Sequence, residues 1–192
     1  MTKVLRTMLM GVALAAVTSG CHKGTEAGSS ANDASASATA APADTTLGAA
    51  LGKTAQFSTV AAAVKDTGLE GVMDGRASYT LFAPTNTAFD ALGDKGAALR
   101  QPEQRAALAA LLREHIVPGM LTRADLDAAL ARAGSKPLKL RSMGKGTLSL
   151  SKEGDAIVVS GTDGSKAKLT GDATSAKNGA ALGIDGVLKK LG

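Results

Sequence analysis

The sequence contains few aromatic residues and almost no cysteine or histidine. Of 192 residues, none is tryptophan, one is tyrosine and three are phenylalanine, so we expect a core of leucine, valine, isoleucine and alanine. The single cysteine, Cys21, excludes an internal disulfide. The only histidines, His22 and His115, are too few for a zinc or copper site with several histidine or cysteine ligands. We therefore expect no metal and no cofactor.

Patterns typical of catalysis are also missing. A general base needs a positioned nucleophile or water and a third group to orient it, and the sequence shows no nucleophile elbow and no paired carboxylates. The sequence therefore predicts a protein that is not an enzyme.

The first twenty residues have the features of a secretory signal. A basic start with Lys3 and Arg6 precedes an apolar run of ten residues, Met8 to Val17, which is too short for a membrane-spanning helix. Ser19, Gly20 and Cys21 resemble the lipobox of bacterial lipoproteins, which implies that Cys21 is lipidated. We expect export and a lipid anchor in a bacterial membrane, with the outer membrane favoured and the domain facing the periplasm or the cell surface.

The composition then divides the remaining chain into two parts. Residues 21–50 are mostly Ala, Ser, Thr, Gly and Asp, which predicts a disordered tether. Residues 51–192 have the length of one domain. Within it, helical spacing dominates the first half and strand alternation with turn signals dominates the second, which predicts an α+β domain, expected to be monomeric.

Positive charge is concentrated at the C-terminal end of the chain. Residues 51–133 contain nine basic and nine acidic side chains, whereas residues 134–192 contain ten basic and five acidic. Lys139 and Arg141 lie on one face of a predicted strand, and Lys166 and Lys168 lie on one face of another. Such strands could bind an anionic polysaccharide, or they could form a solvated face that discourages pairing between edges. We expect no nucleic acid, because the chain is exported and no aromatic residue is interleaved with these cations.

The most distinctive segment is Ser78–Leu92, which reads as a buried strand, a proline and a helix. Pro84 lacks the amide that would extend the strand, and Thr85 or Thr87 can cap the helix that follows. Together with LLREHIVPG (Leu111–Gly119) and NGAALGIDGVL (Asn178–Leu188), this segment resembles the fasciclin domain family. The three blocks occur in the order found in the family.

The resemblance implies a wedge-shaped β-sandwich with helices packed on one side, and a role in binding or adhesion. We expect the motif residues of the three blocks to be scaffold: Phe82, Pro84, Thr85, Phe89, Pro118, Gly119, Asn178, Gly179, Asp185 and Gly186. Glu114 stands where the family usually has a tyrosine before the histidine. The resemblance therefore does not carry over the adhesion contact associated with that pair.

Two hypotheses of function follow. The first is a non-enzymatic adhesion or interaction module of the bacterial envelope, which binds an envelope protein or a polysaccharide. Its candidate surface comprises Glu114 and His115 together with Lys139, Arg141, Lys166 and Lys168, although His115 could instead be a hydrogen-bonded structural residue. The alternative is a carrier of a small hydrophobic ligand such as a carotenoid or lipid, as in some fasciclin-like proteins.

Overall fold

A computed structural model describes residues 44–191 of the chain. It contains seven α-helices in this range: α1 (Leu47–Lys53), α2 (Ser58–Asp66), α3 (Glu70–Met73), α4 (Asn86–Asp90), α5 (Gly93–Leu99), α6 (Arg105–His115) and α7 (Arg123–Ala133). Short 3₁₀ turns at Ala55–Phe57 and Pro102–Gln104 precede α2 and α6. The seven strands are β1 (Tyr79–Pro84), β2 (Ile116–Pro118), β3 (Leu138–Arg141), β4 (Thr147–Glu153), β5 (Ala156–Ser160), β6 (Lys166–Ala176) and β7 (Gly179–Ile184).

The strands form one sheet in the order β2-β1-β7-β6-β5-β4-β3. Neighbours are antiparallel except for β1 and β7, which pair in parallel from Tyr79 opposite Gly179 to Pro84 opposite Ile184. In a flat sheet the end strands β2 and β3 would lie ~29 Å apart. They contact each other, so the sheet curls strongly. This arrangement confirms the predicted α+β fold with helices packed against a sheet.

The two faces of β1 and β7 contribute to two different cores. Leu81 and Ala181 belong to a helical core with side chains from α1, α2 and α6. Phe82 and Leu182 point the opposite way, into a sheet core with side chains from α7 and from β4 to β6. Both faces are apolar because both are covered.

The junction from β1 to α4 follows the local rules predicted for it. Pro84 is the last residue of β1, and the Thr85 side chain accepts a hydrogen bond from Ala88 N at 3.3 Å. Phe89 is buried in the helical core.

The ordered domain begins earlier than predicted. The Thr46 side chain caps α1, and Leu47 is fully buried, so neither residue belongs to a disordered tether, contrary to the prediction for residues 21–50. Leu47 N donates to Asn178 Oδ1 at 2.8 Å, and burying a leucine side chain contributes roughly 2 kcal/mol. The predicted start at Leu51 is therefore too late. The predicted signal, Cys21 and most of the tether lie outside the described residues.

The last described residues, 187–191, form a C-terminal segment that side chains from three other parts of the domain hold in place. Leu188 N donates to His115 Nε2 at 2.9 Å, and Lys190 N donates to Asp163 Oδ2 at 2.6 Å. Lys95 Nζ donates to the Leu191 carbonyl at 3.1 Å. These hydrogen bonds attach this segment to α5, to α6 and to the turn between β5 and β6.

His115 is neutral in this arrangement. Its Nδ1 lies 2.8 Å from the Leu111 carbonyl, which can only accept, so Nδ1 carries the hydrogen and Nε2 accepts from Leu188. Burial lowers the pKa of His115 from 6.5 to about 4, although the Leu111 hydrogen bond and the Glu114 charge oppose this shift.

Gly179 permits the parallel pairing of β1 with β7, and we expect its replacement by alanine to weaken that pairing. A Cβ at Gly179 would collide with the Tyr79 carbonyl oxygen, and it would lie 2.9 Å from Leu47 Cδ2. Gly179→Ala should therefore lower the free energy of unfolding by about 1–3 kcal/mol, measured by urea denaturation. The matched control is Gly171→Ala in β6, where a Cβ meets nothing within 4 Å. Equal unfolding midpoints for the two variants would contradict this account.

The free energy of unfolding should decrease as the pH is lowered, because of His115. Its folded pKa lies below its unfolded pKa of 6.5, so the unfolded chain takes up the proton first as the pH falls. The lost stability should reach roughly 3 kcal/mol between about pH 6.5 and about pH 4, with no further contribution from His115 below that window. Unfolding free energies of the parent chain and of His115→Gln across this window check the prediction. The variant should be less stable at neutral pH but should lose most of the slope; an unchanged slope would refute the assignment.

Candidate interaction surface

The four cations predicted to form an interaction surface lie on the outer face of the sheet, on strands β3 and β6. Directly opposed residues of antiparallel strands share a face of the sheet. Lys139 is opposite Ser149, Ser149 is opposite Ser160, and Ser160 is opposite Lys166. These residues form one row across four strands, with a lysine at each end and two serines between. Three strand spacings separate the lysine backbones by ~14 Å.

The rows on either side add further cations and hydroxyl groups. Arg141 is opposite Thr147, and Lys168 is opposite Val158, which is itself opposite Ser151. We call the resulting surface the basic strand face; its members are Lys139, Arg141, Thr147, Ser149, Ser151, Ser160, Lys166 and Lys168. Its cations are exposed and its hydroxyl-bearing residues are half-buried. Their neighbours along the strands, including Leu148, Leu150 and Val159, point into the sheet core.

One ion pair occurs on this face within residues 44–191, between Lys166 and Glu153 at 3.9 Å. Both side chains are more than half exposed, so this pair is worth well under about 1 kcal/mol and a ligand can displace it. Lys139, Arg141 and Lys168 form no ion pair in the described part of the chain. Against the four cations stand the carboxylates of Glu153 and of Asp185, whose Oδ1 accepts from Lys168 N, so the face has a positive excess.

Glu114 lies near the surface, but its carboxylate contacts the turn between β3 and β4. Its Oε2 accepts a hydrogen bond from Ser142 Oγ at 2.7 Å, and its carboxylate packs against Gly144 and Gly146. A Cβ at either glycine would collide with this carboxylate. Glu114 thus attaches the β3–β4 turn to the end of α6.

His115 does not contribute to the candidate surface. His115 is the last residue of α6, and β2 begins at Ile116. His115 is fully buried, and both ring nitrogens are hydrogen-bonded within the domain. The prediction that His115 belongs to the interaction surface is therefore wrong, because a partner cannot reach this ring in the folded domain.

The motif residues of the second block close the end of the sheet. Pro118 is exposed and is opposite Tyr79 at the end of β2. Gly119 has φ of 99°, a conformation that favours glycine, and its amide donates to the Ser78 carbonyl at 2.8 Å. The Gly119 carbonyl accepts from Thr80 Oγ1 at 2.7 Å.

The motif residues of the third block position β7. Asn178 is buried, and its Nδ2 donates to the Met73 carbonyl at 2.7 Å and to the Gly75 carbonyl at 2.8 Å. Asp185 is exposed, and its Oδ1 accepts from Lys168 N at 2.6 Å. Gly186 passes close to Ala167, where a Cβ would lie 3.4 Å from the alanine side chain.

The sequence reasoning missed the serine and threonine members of the face and Lys145. The alternation in Thr147–Ser151 could have placed Thr147, Ser149 and Ser151 together on one side of β4. No sequence signal gives the register that aligns Ser149 with Lys139 and Ser160. Lys145, in the β3–β4 turn, has φ of 75° and is exposed.

Other kinds of site find little support in residues 44–191. This range contains no group of three or more His, Cys, Asp or Glu side chains arranged to hold a metal ion. Four clefts of about 230 to 560 Å³ open to solvent, and each is lined by several polar or charged residues. None of the helices described has both the length and the apolar character required to cross a bilayer.

Comparison with known proteins identifies a partial sequence match and a solved structure with the same fold. The protein sll1483 of Synechocystis sp. is 40% identical to this chain over 73 residues, which is 38% of this chain and 41% of that protein. The chain thus matches less than half the length of this curated relative. A FAS1 domain pair from the insect cell adhesion molecule fasciclin I has the same fold, with a TM-score of 0.64 at 18% identity over 78% of this chain and 52% of that chain.

The family assignment rests on a match that covers most of the chain. The fasciclin domain family matches residues 55–190, a range that includes all three sequence blocks. Domains of this family are non-catalytic binding modules associated with adhesion and interaction. With the fold, the motifs and this match in agreement, the chain belongs to the fasciclin domain family.

Proposed function

We propose that this chain is a lipid-anchored interaction module of a bacterial envelope, and that its basic strand face binds an anionic polysaccharide. The observation that carries the proposal is the row Lys139–Ser149–Ser160–Lys166, in which cations stand at both ends and hydroxyl groups lie between them. Cations attract the carboxylate or sulfate groups of such a polymer, and the hydroxyls can hydrogen-bond to its sugar oxygens.

The composition of the face favours a charged polymer over a neutral one. The domain's four aromatic residues, Phe57, Tyr79, Phe82 and Phe89, all lie outside this face, so sugar rings have no aromatic side chain to stack on. Affinity would then depend on charge and hydrogen bonds, and salt should weaken it because the cations are exposed. An acidic envelope protein could be attracted to the same charges, and the binding experiment below distinguishes it.

The lipid anchor is supported by the sequence around Cys21. Acylation of Cys21 would attach three chains, whereas two already suffice for stable membrane anchoring. The module would then be displayed from a membrane, with the outer membrane favoured, towards the periplasm or the cell surface. The four clefts described above give no support to the carrier hypothesis, because each is open and partly polar.

Reversing charge on the basic strand face should abolish most of the binding. In Lys139→Glu/Arg141→Glu, we expect the affinity for polygalacturonate to fall about tenfold or more, because two attractive contacts become repulsive. Isothermal titration calorimetry of the full chain in mild detergent, at low and high salt, measures this effect. The matched control is Lys53→Glu/Lys177→Glu, which changes the net charge equally at two exposed lysines outside the face. Parent-like affinity in the first variant, or absence of salt dependence, would rule out the polysaccharide proposal and leave a protein partner to be sought.

Removing the acylation site should release the protein from membranes. Cys21→Ser lacks the thiol that carries the lipid, so we expect it in the soluble fraction while the parent chain sediments with membranes. Incorporation of radiolabelled palmitate should disappear in the same variant. His22→Ser changes the neighbouring residue, keeps the thiol and should remain in the membrane fraction. A Cys21→Ser chain that still sediments with membranes would disprove the anchor.

A further inference from the structure

Three clefts adjoin one another along the exposed side of α6. The first, of about 340 Å³, and the second, of about 500 Å³, share Pro102 and Arg105 in their walls. The second and the third, of about 230 Å³, share Arg113. The third also reaches Lys145 in the turn between β3 and β4. We call this series of adjoining clefts the α6 groove; its third cleft reaches the turn between β3 and β4, which joins two strands of the basic strand face.

Exposed cations line the groove along its whole length. Arg100 and Arg105 lie in the first cleft, Arg113 in the next two and Lys145 in the third. None of these four side chains forms an ion pair with any residue in the range 44–191. Arg105 and Arg113 are eight residues apart on one helix, so their backbones are separated by ~12 Å. Their guanidinium groups can bind carboxylate or sulfate in a bidentate manner.

Acidic side chains also line the groove and limit its charge. Asp66 belongs to the first cleft, Glu103 to the second and Glu114 to the third. The carboxylate of Glu114 is already hydrogen-bonded to Ser142 and packed on the turn. The groove therefore has a small positive excess, which suits a supporting contact better than an independent high-affinity site.

Lys145 occupies a backbone conformation that is unfavourable for lysine. Its φ is 75°, and it is the one described residue other than glycine with a positive φ. Glycine would adopt this conformation without the cost of about 1 kcal/mol that a side chain brings. The turn is closed by a hydrogen bond from Ser142 N to the Gly146 carbonyl at 2.9 Å, which needs no lysine side chain. The ammonium group thus has no evident role in folding, and it stands between the groove and the strands.

We propose that the α6 groove continues the basic strand face, so that one extended anionic polysaccharide contacts both surfaces. The polymer would run past Arg105 and Arg113, cross Lys145 and reach Arg141 and Lys139. This inference rests on the proposed function and narrows the ligand to a long polymer with repeated anionic groups. Contacts linked along one chain add by effective concentration, so affinity should rise with polymer length.

Oligogalacturonates of graded length test the inference, with the full chain titrated as above. In Arg105→Ala/Arg113→Ala, the affinity for long oligomers should fall about fivefold, while the affinity for short oligomers, which fit on the strands alone, should stay unchanged. Alanine favours the helix, so α6 should remain intact. The control Arg76→Ala/Arg132→Ala removes two exposed arginines outside the groove and should bind like the parent chain.

Lys145→Gly provides a second variant, in which a loss of binding cannot be attributed to misfolding because glycine favours the backbone conformation at this position. It should unfold at the same or a higher urea concentration than the parent chain, while its affinity for long oligomers falls severalfold. If the groove variants and Lys145→Gly bind long oligomers like the parent chain while Lys139→Glu/Arg141→Glu does not, the groove inference is overturned and the proposed function stands. An equal loss for short and long oligomers also overturns it. If all of these variants bind like the parent chain, the groove inference and the proposed function are both overturned.

Discussion

The parallel pairing of β1 with β7 is the constraint on which the rest of the fold depends. These strands are adjacent interior strands of the sheet, and each contributes one face to the helical core and the other to the sheet core. About one hundred residues separate them in sequence, so neither core is complete until β7 has docked against β1. Asn178 assists this docking by binding α1 and the end of α3 just before β7 begins. Such non-local closure is entropically costly, which suggests slower folding than in a helical bundle of this size.

The docking of β7 against β1 also determines which side chains lie on the outer surface of the sheet. Because the sheet core covers the inner side of β4 to β6, the cations and hydroxyl residues that alternate with the core residues lie on the other side of the sheet, where the cations are exposed. Cations and hydroxyls on strands paired by a regular register are held in fixed rows, whereas the same residues on a loop would have to be ordered on binding. Preorganisation of this kind lowers the entropic cost of binding an extended partner.

The parts of the fold that sequence could predict are those governed by short-range chemistry. Pro84 ends a strand and Thr85 caps a helix through contacts within a few residues, and Thr122 with Asp125 forms a capping box at α7. The start of the domain was misjudged because Leu47 is held by Asn178, which lies 131 residues away in sequence. His115 was included in a surface for a similar reason, since its partner Leu188 is 73 residues distant. The exposed cations of β3 and β6 were found by alternation, but their alignment with Ser149 and Ser160 depends on three strand registers.

The burial of His115 also indicates how binding specificity can arise in this domain. The one side chain in the described residues that titrates near neutral pH in water is enclosed and neutral, so it is unavailable to a ligand. Under the proposed function, recognition would come from groups that are individually weak: exposed ammonium and guanidinium groups, and hydroxyls. No single such contact would discriminate between partners, but their spacing would, because a flexible polymer gains from each site that matches its own charge repeat. Specificity would then lie in the distances fixed by strand register and by the pitch of α6, so that the buried scaffold, rather than any one surface residue, selects the ligand.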